Sequence, residues 1–194
     1  SGLVTLYPAD FKGIKPRLLV YEGDVVKRGT ALFFNKKSDS LRCTSPAGGR
    51  VQSIVIGQRR MIERFVIETA GREEIEEFRK HEPESVLRLM RDEILAKLLT
   101  TGLIIYIRQR PFSRMADPLA QPKSIFVNGM ATAPFQADPH VCVRGYEAAF
   151  QAGLNALTRL TNGKVYLCID QNAQNPSPAL TEAKQVEIVR FSGP

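Results

Sequence analysis

The stretch over residues 21–69 constrains the fold more than any other part of the chain. It opens with Tyr21-Glu22-Gly23-Asp24-Val25-Val26-Lys27-Arg28-Gly29, passes through an apolar run at 31–34, and reaches Asn35-Lys36-Lys37. It then returns with Ser45-Pro46-Ala47-Gly48-Gly49-Arg50-Val51 and a further apolar run, Phe65-Val66-Ile67. Short runs rich in Val, Ile and Phe alternate with Gly-Asp, Arg-Gly and Pro-Ala-Gly-Gly turns. Turns at that spacing close hairpins, so a compact all-β module is predicted from about residue 17 to 69.

That pattern resembles the barrel-sandwich fold of biotinyl and lipoyl carrier domains. Before it, Tyr7-Pro8-Ala9-Asp10-Phe11-Lys12-Gly13-Ile14-Lys15-Pro16 reads as an irregular loop, because prolines and a glycine interrupt it. The loop presents two aromatics, Tyr7 and Phe11. After the module comes a charged, exposed connector at 72–81. A single helix is predicted next, with Pro83 suiting its first turn and Gly102 the position past its end. Between them Val86, Leu87, Leu89, Met90, Ile94, Leu95, Leu98 and Leu99 recur at helical spacing and predict a core-facing stripe. A further segment at 104–110 leads into Pro111-Phe112-Ser113-Arg114-Met115 and a proline-rich linker with Pro118 and Pro122.

An α/β pattern follows. Ser124-Ile125-Phe126-Val127-Asn128 predicts a buried strand. Asp138-Pro139 can open a helical turn with Asp138 as N-cap. The main helix is expected over 145–161, with Tyr146, Ala149, Phe150, Gly153, Leu154, Leu157 and Leu160 on one stripe. Lys164-Val165-Tyr166-Leu167-Cys168-Ile169 is the next strand, and strand, helix and strand of this length imply a right-handed parallel crossover. A long polar loop at 170–180 precedes a last strand at 185–191. The expected class is therefore mixed α+β and α/β. Residues 1–70 form a loop plus a barrel-sandwich β module. Residues 71–123 form a connector, a bridging helix and an Arg/Pro-rich linker. Residues 124–194 form an incomplete Rossmann-like α/β unit.

Composition narrows the chemistry. No apolar run approaches the roughly 20 residues that span a bilayer, so no transmembrane segment is predicted. The sequence begins at Ser1 rather than Met and stops at Phe191-Ser192-Gly193-Pro194, and is expected to be a piece of a longer protein. Net charge is +7, but the basic residues are dispersed in short clusters such as Arg59-Arg60, and no nucleic-acid partner is predicted. The 3 cysteines, Cys43, Cys142 and Cys168, form no C-x-x-C pair, and an odd number argues against a disulfide framework. The 2 histidines, His81 and His140, lie far apart. No metal site and no iron–sulfur cluster are expected.

Three local constellations bear on function. The loop after the first α/β strand has Gly129 but no G-x-G-x-x-G, so no dinucleotide fingerprint is present. Lys36 and Lys37 occupy a hairpin tip where carrier domains bear a modified lysine, yet no Met-Lys-Met or Asp-Lys-Ala surrounds them. The third is Arg108-Gln109-Arg110-Pro111-Phe112-Ser113-Arg114. Its arginines can donate to carbonyl groups and Phe112 can stack on a planar ligand. The alternative is a solvent-facing strand end with ordinary salt bridges.

In sequence order the chain resembles the A-type subunit of the bacterial sodium-translocating NADH:quinone reductases. The resemblance rests on Lys12-Gly13-Ile14-Lys15-Pro16, Glu22-Gly23-Asp24-Val25-Val26-Lys27, Asn35-Lys36-Lys37 and Thr44-Ser45-Pro46-Ala47-Gly48-Gly49. It continues through Gly57-Gln58-Arg59-Arg60, Thr101-Gly102-Leu103 and the Arg108–Arg114 cluster. Ile125-Phe126-Val127-Asn128-Gly129-Met130 and Gly163-Lys164-Val165-Tyr166-Leu167-Cys168 complete it, and Phe191-Ser192-Gly193-Pro194 resembles the start of a Gly-Pro-His-Pro-type motif. Two departures stand out. Asn35 occupies a position where an acidic residue is usual, and Pro8-Ala9 replaces a Gly-acid pair.

The resemblance implies a peripheral protein on the cytoplasmic face of the bacterial inner membrane, docked on the membrane subunits of the same complex. It implies longer full-length members, whose C-terminal half includes a ubiquitin-like β-grasp domain. It implies a fold related to the flavin-bearing subunit of respiratory complex I, with the flavin, NADH and cluster sites lost. No cofactor would be bound by this chain. Quinone is the implied substrate, while NADH, flavins and Na+ would be handled by other subunits. Two segments are implied in quinone binding, one carrying Tyr7, Phe11 and Ile14, the other Arg108, Arg110, Phe112, Ser113 and Arg114. The fragment alone is not expected to be catalytic, and no catalytic residue is assigned. The alternatives are the C-type subunit of a related electron-transport complex and a stand-alone carrier or binding module.

Overall fold

The computed structural model describes residues 2–69 and 71–192. In chain order the first elements are β1 (Leu3–Leu6), β2 (Pro16–Leu18), β3 (Val25–Val26), β4 (Ala31–Asn35), β5 (Ser38–Thr44), β6 (Gly49–Ile56) and β7 (Ile62–Thr69). Next come α1 (Pro83–Val86), α2 (Arg91–Thr100), β8 (Arg108–Gln109) and β9 (Arg114–Met115). The last are β10 (Ile125–Gly129), α3 (Pro139–Cys142), α4 (Glu147–Thr158), β11 (Val165–Asp170), α5 (Pro178–Thr181) and β12 (Glu187–Phe191). Gly193 and Pro194, read above as part of a terminal motif, lie outside the described residues.

Residues group into two units. One holds the chain up to residue 79 together with 95–118, and the other holds 80–94 together with the chain from 119 onward. The stretch 71–123 is thus shared between them.

In the first unit, hairpin turns and period-2 burial build two sheets, ordered β1-β7-β6-β3 and β2-β4-β5. Phe65 and Ile67 on β7 and Val51 on β6 are fully buried, while their alternate neighbours Arg64, Glu68 and Arg50 face water. From the other sheet come Leu32, Phe33 and Leu41. Phe33 stacks on Phe65 with ring centroids 5.4 Å apart, and Phe11 tilts against Phe33 at 6.2 Å. Burying side chains of this size stabilises by about 1.5–3 kcal/mol each. Leu99, Ile104 and Ile105 complete this core from beyond the barrel-sandwich segment.

Several expectations require correction here. The first 20 residues are not all loop: β1 pairs antiparallel with β7, Leu3 opposite Glu68 and Leu6 opposite Phe65. Four residues alternating outside and inside carry too short a signal to read without the partner strand. Phe11 is not presented outward by its loop but packs partly buried against the core. The connector after β7 is exposed but held: Arg28 N–H donates to Glu74 O and Glu76 N–H to Arg28 O, both at 2.9 Å.

The predicted single helix is two. α1 ends at Val86, and a new helix begins at Arg91 because the Glu93 carboxylate accepts the Met90 N–H at 2.7 Å, one half of a capping box. Met90, expected in the stripe, is therefore exposed, while Val86, Ile94 and Leu99 are buried. Gly102 then stops α2 in the left-handed region at φ 75°, where a Cβ would lie 2.8 Å from Arg42 O. A left-handed conformation costs an L-residue about 1–2 kcal/mol, and the contact adds to it. Gly102→Ala is expected to lower the thermal midpoint clearly. An unchanged midpoint would show that the Leu103 turn relaxes freely. The apolar run after Gly102 is a 3₁₀ turn, Leu103–Tyr106, since the buried Ile104 and Ile105 are consecutive rather than alternating.

In the second unit, β10, β11 and β12 form a parallel sheet in that order. Val165, Leu167 and Ile169 are buried, and Leu154 of α4 and Leu180 of α5 join the cluster with Leu167 and Ile169. Asp138 caps α3 as predicted, its carboxylate accepting the His140 N–H at 2.9 Å. α4 starts at Glu147, two residues later than predicted, because Gly145 has φ 81°. The Gly145 N–H donates to the Glu147 carboxylate at 2.9 Å and holds its pKa below the usual range. The expected polar loop at 170–180 contains the start of α5, anchored by the buried Leu180.

Candidate functional site

The Arg/Phe cluster folds as a hairpin, not as a strand end. Arg108 pairs with Met115 and Gln109 with Arg114, and the Ala116 N–H donates to Ile107 O at 2.8 Å. Residues directly opposite in an antiparallel pair share a face. Met115 packs on the core of the first unit, so Arg108, which is exposed, lies on that same side. Gln109 and Arg114 take the other side. The tip, residues 110–113, carries a cis Arg110–Pro111 bond, with Ser113 at φ 48°.

The second segment is a chain of tight turns. Tyr7 O accepts from Asp10 N–H, Pro8 O from Phe11 N–H, and Phe11 O from Ile14 N–H, at 3.1, 3.1 and 3.2 Å. Lys15 N–H then donates to Asn35 Oδ1 at 3.1 Å, and Lys37 N–H reaches the same oxygen at 3.3 Å. The buried Asn35, noted above as a departure, thus ties this loop to the β4–β5 tip. These bonds turn Phe11 and Ile14 inward and leave Tyr7 half exposed.

The two segments meet. Phe11, Lys12, Ile14, Ile105, Arg108 and Met115 line one recess. Its volume is about 10 Å³, room for one water and not for a ring. Of the eight predicted residues, the recess gathers Phe11, Ile14 and Arg108. Phe112 and Arg114 form their own pair at the hairpin tip, with the guanidinium carbon 5.1 Å from the ring centroid. Arg110 and Ser113 sit on the turn, and Tyr7 stands at the head of the loop. Lys12, Ile105 and Met115 carry no such signal in the sequence. Ile105 and Met115 read there as ordinary core, and Lys12 as one basic residue among many.

The electrostatics are one-sided. The ion pairs among the described residues include Lys27–Glu74, Arg28–Glu73 and Lys164–Glu187, and none involves Lys12, Arg108, Arg110 or Arg114. An apolar floor rimmed by uncompensated cations suits a planar group with carbonyl oxygens or an anionic headgroup. It holds no pair of titratable groups arranged for acid–base work.

Other constellations are placed as follows. Lys36 and Lys37 lie at the β4–β5 tip, both exposed. After β10, the Met130 N–H is taken by Asn128 Oδ1 at 3.0 Å and the Ala133 N–H by Gln136 Oε1 at 3.3 Å. The Ser177 N–H donates to the buried His140 Nδ1 at 3.0 Å and links the loops that follow β10 and β11. Among the described residues no group of His, Cys, Asp and Glu could hold a metal ion, and no helix is long and apolar enough to cross a membrane. Burial pushes the Cys43 thiol up to about 12 and raises Cys168 as well, whereas Cys142 is exposed. The thiolate is the nucleophile. Iodoacetamide at mildly alkaline pH should therefore label Cys142 and spare Cys43 until the chain is unfolded. Equal labelling rates in the folded protein would contradict the packing of β5.

Comparison with known proteins agrees with this architecture. Residues 1–70 match the model of the NqrA N-terminal barrel-sandwich hybrid domain, and residues 89–194 match that of the NqrA second alpha/beta domain. Curated relatives named as the A-type subunit of Na(+)-translocating NADH-quinone reductase align over 98% of the chain. The Pasteurella multocida (strain Pm70) protein is 41% identical, that of Yersinia pestis 39% and that of Neisseria meningitidis serogroup B 37%. The chain spans 42% of the length of these relatives.

Proposed function

The chain belongs to the NqrA family, the A-type subunits of the Na(+)-translocating NADH-quinone reductases, and from that premise we propose that it forms the quinone-associated part of a peripheral subunit. That subunit sits on the cytoplasmic face of the bacterial inner membrane, against the membrane subunits of the same reductase. The assembled complex couples NADH oxidation and quinone reduction to sodium export. NADH, flavins and Na+ are handled by its other subunits, and this chain binds no cofactor of its own.

The observation that carries the quinone assignment is the convergence of Phe11 and Ile14 with Arg108 around one recess. The head group lies over the recess rather than inside it, given the small volume. Phe11 and Ile14 give it an apolar floor, and Phe112 offers a ring face from the hairpin tip. Arg108, with Arg110 and Arg114 nearby in sequence, donates to a carbonyl oxygen that gains negative charge on reduction. Tyr7 and Ser113 supply hydroxyls at the edges of the two segments.

The test is a titration of the full-length protein with a short-chain ubiquinone. A hydrogen bond to a charged group is worth about 1.5–3 kcal/mol, so Arg108→Ala should weaken binding tenfold or more. Arg108→Lys should recover part of it. Equal affinity for wild type and Arg108→Ala would remove the arginine from the site. Native mass spectrometry separates the carrier-module reading, which requires a covalent adduct on Lys36 or Lys37.

A further inference from the structure

The recess and a ligand over it leave most of the hairpin tip uncovered. Arg110, Pro111, Phe112, Ser113 and Arg114 are all exposed, and Phe112 keeps 74% of its surface in solvent. A single exposed phenylalanine is ordinary. This one stands on a turn flanked by Arg108 and Arg110 on one strand side and Arg114 on the other, with no carboxylate ion pair to any of the three among the described residues. Tyr106, on the preceding turn, is also 74% exposed.

We propose that the hairpin tip is an interfacial anchor that seats on a bilayer containing anionic lipid. The ring enters the headgroup layer, and the arginines lie on lipid phosphates. Aromatic and basic residues together are the combination that favours this layer, and apolar contact and charge attraction both contribute to the binding. The pairing of Arg114 with the Phe112 ring keeps charge and apolar surface in one place. A docked protein surface would need about 800 Å² from each partner, which a four-residue turn does not supply, whereas a bilayer accepts a narrow tip. The inference extends the quinone reading, since quinone tails dissolve in the same bilayer, but it rests on the chemistry of the hairpin alone.

Vesicle co-sedimentation of the full-length protein, without quinone, tests it. Binding is expected to vesicles containing phosphatidylglycerol and not to pure phosphatidylcholine. It should weaken strongly as salt shortens the Debye length from about 10 Å at 0.1 M to about 3 Å at 1 M. Arg110→Ser/Arg114→Ser should lose roughly fivefold per arginine, while the corresponding lysine pair retains most of the binding. Phe112→Ala should weaken binding but leave its salt dependence in place. A charge-matched control in the second unit, Arg144→Ser/Arg190→Ser, should lose much less. No binding to anionic vesicles, or equal losses in the two serine pairs, would overturn the proposal. Either result leaves the ubiquinone titration free to succeed or fail separately.

Discussion

Phe33→Ala is expected to remove about 3–5 kcal/mol from the stability of the first unit, as large aromatic truncations in sealed cores do. Phe33 is fully buried and lies between two aromatic neighbours, Phe65 and Phe11. Its loss leaves a cavity that β4 and β7, each held in its own sheet, cannot close without breaking register. The change also unseats Phe11, so the loop at residues 7–14 should become more open to proteolysis than in the wild type. Urea unfolding followed by near-ultraviolet circular dichroism gives the number. A loss below about 1 kcal/mol would mean that the core repacks around the gap.

In the assembled reductase, Phe112→Ala and Arg110→Ala are each expected to raise the Michaelis constant for quinone by about tenfold while NADH oxidation by an artificial acceptor stays intact. The magnitude follows from losing one charge-assisted hydrogen bond or one stacking face. Both side chains are exposed and neither supports the core, so the complex should assemble normally. The split between the two activities separates a quinone effect from general damage. Unchanged quinone kinetics in both variants would return the tip to a purely peripheral role.

Much of the fold is legible because turn chemistry and burial agree along the sequence. Gly23-Asp24, Asn35-Lys36-Lys37 and Ala47-Gly48-Gly49 mark reversals at the places where the strands turn. The parallel strands β10 and β11 are readable as apolar runs, but β10, expected to be buried, is covered on one side only, with Phe126 and Asn128 exposed. What the sequence does not disclose is partner-dependent. β1 is a strand only because β7 lies beside it. The helix break before Arg91 depends on one side chain, Glu93, reaching back to Met90. The hairpin β8–β9 is hidden because two-residue strands carry no periodicity.

The candidate site shows the same division. Residue type alone draws attention to Phe11, Arg108, Phe112 and Arg114, since arginine near an aromatic is chemically suggestive. Their grouping is not visible: Arg108 faces the recess only because it sits opposite Met115, and Phe112 pairs with Arg114 instead. Lys12 gains a role only from its place on the rim beside Arg108.

On the reading proposed above, the loop and the hairpin act on one quinone. A double-mutant cycle in the full-length protein tests it most directly, with Ile14→Ala, Arg108→Ala and the double variant titrated with the same short-chain ubiquinone. Side chains that touch a shared ligand couple by about 0.5 kcal/mol or more, whereas independent sites add within about 0.3–0.5 kcal/mol. Weaker binding is expected in both single variants, with a double loss clearly different from their sum. Strict additivity, or a quinone affinity indifferent to either change, would contradict it.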